Sequence, residues 1–264
     1  MRTHLVTAAF MLALSTTPAG ADAFSDGATA FNKGDYATAV THWKPAATAG
    51  DVKANVALAG MYLAGKGVER DLQKAAAHYL VAAKAGDATA QTMMAVLYAK
   101  GTGVKSDPPK AAEWYAKAAE QGNVVAMMNL GYMKANGTGI KRDPKAAVKW
   151  YLKAAEAGDP GGQYNIAELY RTGQGTAVDM GEAFKWYEAS AKQGLPRAQL
   201  ALGSMYALGQ GTAKDLFNAY VWYEIAAAKG DPYAVKNRDR IEQQMSDNEI
   251  VAARKRAREW REKE

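Results

Sequence analysis

The sequence contains no cysteine, and this absence excludes several classes of chemistry at once. Disulfide frameworks, thiolate zinc sites and cysteine nucleophiles all require a thiol. A lipid-modified N-terminal cysteine is excluded for the same reason. Any function of this chain must therefore use other side chains.

Long apolar segments are also missing. The apolar run from Leu5 to Leu14 has ten residues, whereas a helix must span ~30 Å to cross a bilayer. The run follows Arg2 and precedes two small-x-small sites, Ala19-Gly20-Ala21 and Ala21-Asp22-Ala23. This order predicts that residues 1–23 are a cleaved signal peptide rather than a membrane anchor. We therefore expect a mature chain without a transmembrane segment, located in the periplasm or secreted.

Strong charge of one sign is absent as well. The formal net charge is +6, and it is spread along the chain, so it does not indicate nucleic-acid binding. Apolar residues make up 48% of the sequence, with abundant alanine and few β-branched side chains. This composition favours helices packed through small side chains, and it predicts an all-α fold.

One segment, Ala111–Gly122, recurs along the chain with a period of 36 residues. Its frame is an alanine, an aromatic pair, two small residues and a glycine. A fixed period of this length predicts a solenoid, in which each unit buries its apolar face against its neighbours. The copies are Ala147/Trp150/Tyr151/Gly158, Ala183/Trp186/Tyr187/Gly194 and Ala219/Trp222/Tyr223/Gly230, with His78 in place of tryptophan in Ala75/His78/Tyr79/Gly86.

The period predicts five helical hairpins in residues 52–231, without insertions between them. Each first helix should end at a Gly-x-Gly pair, because the earlier glycine can adopt the left-handed conformation. An aspartate four residues after the second glycine should then cap the second helix. The pairs are Gly65/Gly67, Gly101/Gly103, Gly137/Gly139, Gly173/Gly175 and Gly209/Gly211, and the aspartates are Asp71, Asp107, Asp143, Asp179 and Asp215.

The two ends of the array are predicted to be caps. Residues 24–51 resemble half of a tetratricopeptide repeat, and Pro45 should kink or stop their second helix near Trp43. Residues 232–264 are predicted to form capping helices, the last of which starts at a capping box, Ser246 to Glu249. Its apolar stripe should seal the array, and its basic faces should be solvated. The alternative for the basic faces is weak contact with anionic envelope polymer or lipid.

The full pattern, Ala-x-x-x-Leu-Gly-x-x-Tyr-x-x-Gly-x-Gly-Val-x-x-Asp-x-x-Lys-Ala-x-x-Trp-Tyr-x-x-Ala-Ala-x-x-Gly, resembles the Sel1-like repeat, a relative of the tetratricopeptide repeat. The resemblance covers about four fifths of the chain. It implies a right-handed α/α superhelical solenoid that serves as a scaffold for protein–protein contacts.

None of the motifs indicates catalysis, a cofactor or a metal. The Gly-x-Gly pairs join helices, whereas a phosphate-binding loop follows a strand. His42 and His78 occupy one repeat position in neighbouring units, too far apart to share a zinc ion, and we interpret them as packing substitutes for tryptophan. The repeated aspartates occur singly, which suits caps better than acid–base catalysis. The Trp-Tyr stripe is interpreted as core, with a sugar-stacking platform as the alternative.

The remaining candidate for function is the concave groove lined by the first helices. Positions between the buried ones should face this groove, and many of them are apolar. We predict a non-enzymatic, exported scaffold that binds a protein or peptide partner there. The alternative is a polysaccharide-binding module or enzyme of the cell envelope. The predicted partner-binding residues are Val56, Thr92, Met128, Tyr132, Tyr164, Glu168, Arg171 and Leu200.

Overall fold

The computed structural model describes residues 23–263, which form fourteen α-helices and no strand. All of the predicted signal peptide except Ala23 lies outside the described residues. No helix within 23–263 has both the length and the apolar character needed to cross a bilayer. The helices are α1 (Ala23–Asn32), α2 (Tyr36–Thr48), α3 (Val52–Ala64), α4 (Leu72–Lys84), α5 (Ala88–Lys100), α6 (Pro108–Glu120), α7 (Val124–Asn136), α8 (Pro144–Glu156), α9 (Pro160–Thr172), α10 (Met180–Lys192), α11 (Pro196–Leu208), α12 (Leu216–Ala228), α13 (Pro232–Glu242) and α14 (Asp247–Arg261).

The helices form two compact units, one ending at Asp107 and the other beginning at Pro108. Within each unit, helices that follow one another along the chain pack together, except that α14 packs on α12 rather than on α13. The first helices of the five repeats are α3, α5, α7, α9 and α11, and each ends at the first glycine of its Gly-x-Gly pair. These five glycines have φ between 67° and 71°, as the sequence predicts. The predicted aspartate caps of the second helices are confirmed at Asp71, Asp143, Asp179 and Asp215.

The second glycine of each pair has a role that the sequence analysis did not predict. It lies against the first residue of the preceding second helix, so that a Cβ atom at Gly211 would be 2.0 Å from the Met180 carbonyl oxygen. Real Cβ atoms essentially never approach another atom this closely. The second glycine therefore allows consecutive hairpins to meet backbone to backbone. The five contacts are Gly67 with Tyr36, Gly103 with Leu72, Gly139 with Pro108, Gly175 with Pro144 and Gly211 with Met180.

A buried amide side chain in the first helices also links consecutive hairpins, and it too was not predicted. The Gln163 side chain is 6% exposed, and its Nε2 donates to the Ala155 carbonyl oxygen at 3.4 Å. The same position of the other repeats is occupied by Asn55, Gln91, Met127 and Gln199, of which all except Met127 make the equivalent bond. The amide therefore anchors α3, α5, α9 and α11 to the end of the helix before each of them.

Replacing Gln163 with Met should lower the free energy of unfolding by about 1 to 2 kcal/mol. The variant loses the bond to Ala155 and the 2.8 Å bond that Gln193 Nε2 donates to Gln163 Oε1. Methionine has a similar volume, so little cavity is created, and Met127 shows that the repeat accommodates it. Urea unfolding followed by circular dichroism measures the change. Gln73→Met, at an exposed position of α4, is the control and should be neutral; equal stability of both variants would contradict the anchoring role.

In the N-terminal hairpin, Pro45 does not end its helix, which was one of the two predicted outcomes. Helix α2 does not stop near Trp43 but continues through Pro45 to Thr48. Trp43 and Ala47 are buried, and Trp43 Nε1 donates to the Phe24 carbonyl oxygen at 3.1 Å. Proline has no N–H, so only the backbone hydrogen bond to the Thr41 carbonyl oxygen is lost. Thr41 and Pro45 are both exposed, and water can therefore hydrate this oxygen. Burial of the last turn therefore maintains the helix beyond the proline.

At the C-terminus, the predicted start and apolar stripe of the last helix are present. Ser246 and Glu249 form the predicted capping box at the start of α14. Ile250, Ala253 and Ala257 are buried, and the half-buried Trp260 packs edge-on against Trp222 with ring centroids 5.0 Å apart. The apolar stripe of α14 therefore covers α12, the last second helix.

Candidate functional site

In the first unit, the two predicted partner-binding residues are buried, and the expectation that they are exposed is wrong. Val56 and Thr92 are each 7% exposed. Val56 lies on α3, which is apolar around most of its surface and packs between α2 and α4. The Thr92 hydroxyl donates to the Ala88 carbonyl oxygen at 2.8 Å within its own helix. The candidate site is therefore confined to the second unit.

In the second unit, the six predicted residues lie on α7, α9 and α11, and we call this set the first-helix face. It consists of Met128, Tyr132, Tyr164, Glu168, Arg171 and Leu200. Met128, Tyr164 and Leu200 are half-buried and pack against the core of the unit. Tyr132 is 49% exposed. The face is therefore an exposed aromatic ring beside apolar side chains that are each partly open to solvent.

Two glycines allow close packing around α7, the helix that carries Met128 and Tyr132. A Cβ atom at Gly131 would be 2.7 Å from the ring of Tyr151, so the absence of a side chain lets α7 pack closely on α8. A Cβ atom at Gly161 would be 3.1 Å from Met128 Cε, which places the methionine side chain over the start of α9. Met128 thus bridges two first helices, and Tyr132 lies one turn further along α7.

The charged pair of the face is bound to a buried tyrosine. Arg171 Nη2 lies 2.7 Å from Glu168 Oε2, and Arg171 Nε donates to Tyr187 Oη at 3.3 Å. The Tyr187 hydroxyl donates to Glu168 Oε1. Burial, followed by the Glu168 carboxylate, raises the pKa of Tyr187 well above its usual range, so this hydroxyl stays protonated. Glu168 and Arg171 therefore neutralise each other and fasten α9 to α10.

The Trp-Tyr stripe forms core, as the sequence predicts. The five tyrosines of the stripe are at most 5% exposed, and burial raises the pKa of Tyr79 and of Tyr115 to about 12. Of the stripe tryptophans, Trp150 and Trp222 are also buried, whereas Trp114 and Trp186 are half-buried. Lys117 Nζ lies 4.4 Å from the ring centroid of Trp114. The five buried tyrosines are Tyr79, Tyr115, Tyr151, Tyr187 and Tyr223.

His78 packs in the position that other repeats give to tryptophan. Its ring stacks on Tyr62, with centroids 5.6 Å apart, and its Nδ1 lies 2.9 Å from Asn55 Oδ1. The Asn55 amide nitrogen donates to two carbonyl groups, so its Oδ1 accepts and His78 Nδ1 carries the proton. Burial lowers the pKa of His78, which favours the neutral ring. Within residues 23–263, no group of three or more His, Asp or Glu side chains could hold a metal ion.

The comparisons with known proteins agree with the repeat boundaries. Residues 52–87, 88–123, 124–159, 160–195 and 196–231 each match the model of the Sel1 repeat. A crystal structure of a Sel1 repeat protein from Oxalobacter formigenes is 32% identical, with a TM-score of 0.74, and the match covers 92% of this chain and 96% of that one. The protective antigen c5321 of uropathogenic Escherichia coli, described as displaying an SLR fold, is 25% identical over 91% of this chain and 68% of its own, with a TM-score of 0.53. The curated protein sequences contain no match.

Proposed function

The chain belongs to the Sel1 repeat family, and on this basis we propose that it is a non-enzymatic scaffold that binds a protein or peptide partner. The partner lies against the first-helix face of the second unit. Proteins of this architecture typically supply a stack of helices on which a partner segment is held. In this chain, the first-helix face is the proposed binding surface.

The observation that carries the proposal is the exposure of Tyr132. A tyrosine side chain that is half open to solvent presents a large apolar area, and aromatic residues contribute most of the binding energy in many interfaces. Tyr132 has Met128 one turn away on the same helix. Tyr164 and Leu200 occupy the equivalent of the Met128 position in the next two repeats. An apolar segment of a partner can bury all four side chains together.

The carboxylates that recur in the repeats have a structural role, which favours a scaffold over an enzyme. Asp71, Asp143, Asp179 and Asp215 each accept a backbone N–H bond at the start of a second helix. Such bonds stabilise helices by about 1 kcal/mol each. The same carboxylates are separated by at least one repeat of 36 residues, so they do not form the close pair that acid–base catalysis uses.

We also propose that the protein is exported. The support is the apolar run Leu5–Leu14 and the two small-x-small sites that follow it. Cleavage after Ala21 or Ala23 leaves a mature chain that begins at Asp22 or Phe24. Its partner is then another envelope or secreted protein.

One experiment tests both proposals. The protein is purified from its native cells, the intact mass identifies its N-terminus, and the proteins retained with it are identified. We expect a mass that starts at Asp22 or Phe24 and one protein retained in a stoichiometric amount. An uncleaved Met1 on the purified protein would contradict export. Stabilisation by cell-wall glycans, measured by thermal shift, without any retained protein would contradict the scaffold and favour polysaccharide binding.

A further inference from the structure

Helix α13 extends the first-helix face beyond the five repeats. It packs on α12 and also contacts α11. In the 36-residue register, Lys236 follows Leu200 and Arg240 follows Ser204. Both side chains are exposed, while Ala234 and Ile241 are buried in the register of the α11 core positions Ala198 and Met205. The positions that are apolar or neutral in α11 are therefore cationic in α13.

Two tyrosines of the unit feel the charges of Arg240 and Arg197. The Tyr223 hydroxyl bonds to Ser204 Oγ at 3.1 Å, and the positive charge of Arg240 acts on the same phenol. On α11, the charge of Arg197 acts on the phenol of Tyr164. Burial raises the pKa of Tyr164, Glu168 raises it further, and Arg197 acts in the opposite direction. Arg197 and Arg240 therefore border the face along α11 and α13.

Arg197, Lys236 and Arg240 have no carboxylate partner, in contrast to three other arginines of the unit. Arg171 pairs with Glu168 at 2.7 Å, Arg238 with Glu224 at 2.9 Å and Arg254 with Glu242 at 3.0 Å. Arg197, Lys236 and Arg240 make no ion pair with any residue in the described part of the chain. The unpaired positive charge of the face is therefore concentrated at its α11–α13 end, whereas its α7–α9 end is aromatic and apolar.

We propose, on the basis of the proposed function, that the partner segment is an acidic peptide with an apolar end. Its apolar residues lie against Tyr132, Met128 and Tyr164, and its Asp or Glu side chains lie near Arg197, Lys236 and Arg240. Opposite charges at an interface accelerate association and fix the direction in which a segment binds. Exposed charges are screened by salt, so the affinity falls as ionic strength rises.

The probe is a fluorescein-labelled twelve-residue peptide with two leucines and a phenylalanine at one end and six Asp or Glu residues at the other. A second peptide carries Asn and Gln in place of the acids. Fluorescence anisotropy measures both affinities at low and at high salt. We expect the acidic peptide to bind at least tenfold more tightly than its amide counterpart at low salt, with the difference shrinking at high salt.

The test variant combines Arg197→Glu, Lys236→Glu and Arg240→Glu. The control combines Lys141→Glu, Lys145→Glu and Lys214→Glu, which change the net charge equally at exposed positions outside the face. Circular dichroism confirms that both are folded. The test variant should bind the acidic peptide at least tenfold more weakly than the control. Equal binding by both variants, equal binding of both peptides, or no binding by the parent would overturn the inference.

Two further results separate this inference from the proposed function. If the copurified protein binds the test variant normally but binds Tyr132→Ala weakly, the face binds a partner whose segment is not acidic. If the copurified protein is insensitive to both changes, the proposed function itself is wrong. Polygalacturonate, an anionic polysaccharide, serves as a competitor. Binding of this polymer that needs the three cations but not Tyr132 would overturn the assignment to a peptide.

Discussion

Replacing Gly211 with Ala should lower the free energy of unfolding by about 3 kcal/mol. The residue has φ of +70°, which costs an L-amino acid about 1 to 2 kcal/mol. The new methyl group would also lie 2.0 Å from the Met180 carbonyl oxygen, a backbone atom at the start of α10 that cannot move without shifting the hairpin. Overpacking of this kind costs a further 1 to 3 kcal/mol, roughly.

Gly230→Ala is the matched control for this prediction. Gly230 has φ of +88°, but no atom lies within 4 Å of the position that its Cβ would take. The control should therefore lose only about 1 kcal/mol, the cost of the left-handed backbone. Urea unfolding of both variants, followed by circular dichroism, measures the difference. Equal losses would show that the close approach of consecutive hairpins does not contribute to stability.

Replacing Tyr132 with Ala should weaken binding of the copurified partner by about 2 kcal/mol or more, which is roughly thirtyfold or more in Kd. The side chain is 49% exposed, so its removal changes the fold little while removing the main aromatic contact of the first-helix face. Isothermal titration calorimetry with the purified partner measures the affinity, and the helix content should be unchanged.

Val251→Ala is the control for the binding prediction. This side chain is 66% exposed on α14, outside the first-helix face, and its truncation should leave the affinity unchanged. Tyr164 is less suitable than Tyr132 because its ring lies 5.6 Å from that of the buried Tyr187, so its removal affects packing as well as binding. Unchanged affinity of Tyr132→Ala would move the interaction to another surface, and the basic faces of α14 would be the next to test.

The periodicity predicts most of the fold. Repeats in register fix which residues are buried, and single residues with special backbone or capping properties mark the helix ends, as at Gly137 and Asp143. These features depend on neighbours a few residues away, so a pattern in the sequence is sufficient to identify them. The capping box at Ser246 belongs to the same class.

The features that were not predicted depend on contacts between different helices or hairpins. Gly211 is 31 residues from Met180, and the Gly-x-Gly pattern alone does not distinguish a glycine that ends a helix from one that admits a neighbouring backbone. The buried amide of Gln163 looks like an ordinary polar residue of a helix. The recurrence of an amide at Asn55, Gln91, Gln163 and Gln199 was the available signal.

The candidate site was predicted in part for a similar reason. The repeat register correctly placed Tyr132 on an exposed surface, but it could not report that Val56 and Thr92 are almost fully buried. The predicted binding residues also did not include Lys236 and Arg240 of α13, which lacks the Gly-x-Gly pair of the five repeats.

Photo-crosslinking from position 132 tests the central claim most directly. A benzophenone amino acid replaces Tyr132 in one variant and Val251 in another, and living cells that contain the protein are irradiated. Both positions are exposed, so both probes can reach a neighbouring molecule. We predict that the probe at 132 forms a covalent product with the copurified partner and that the probe at 251 does not. A product that forms from 251 and not from 132 would contradict the assignment of binding to the first-helix face.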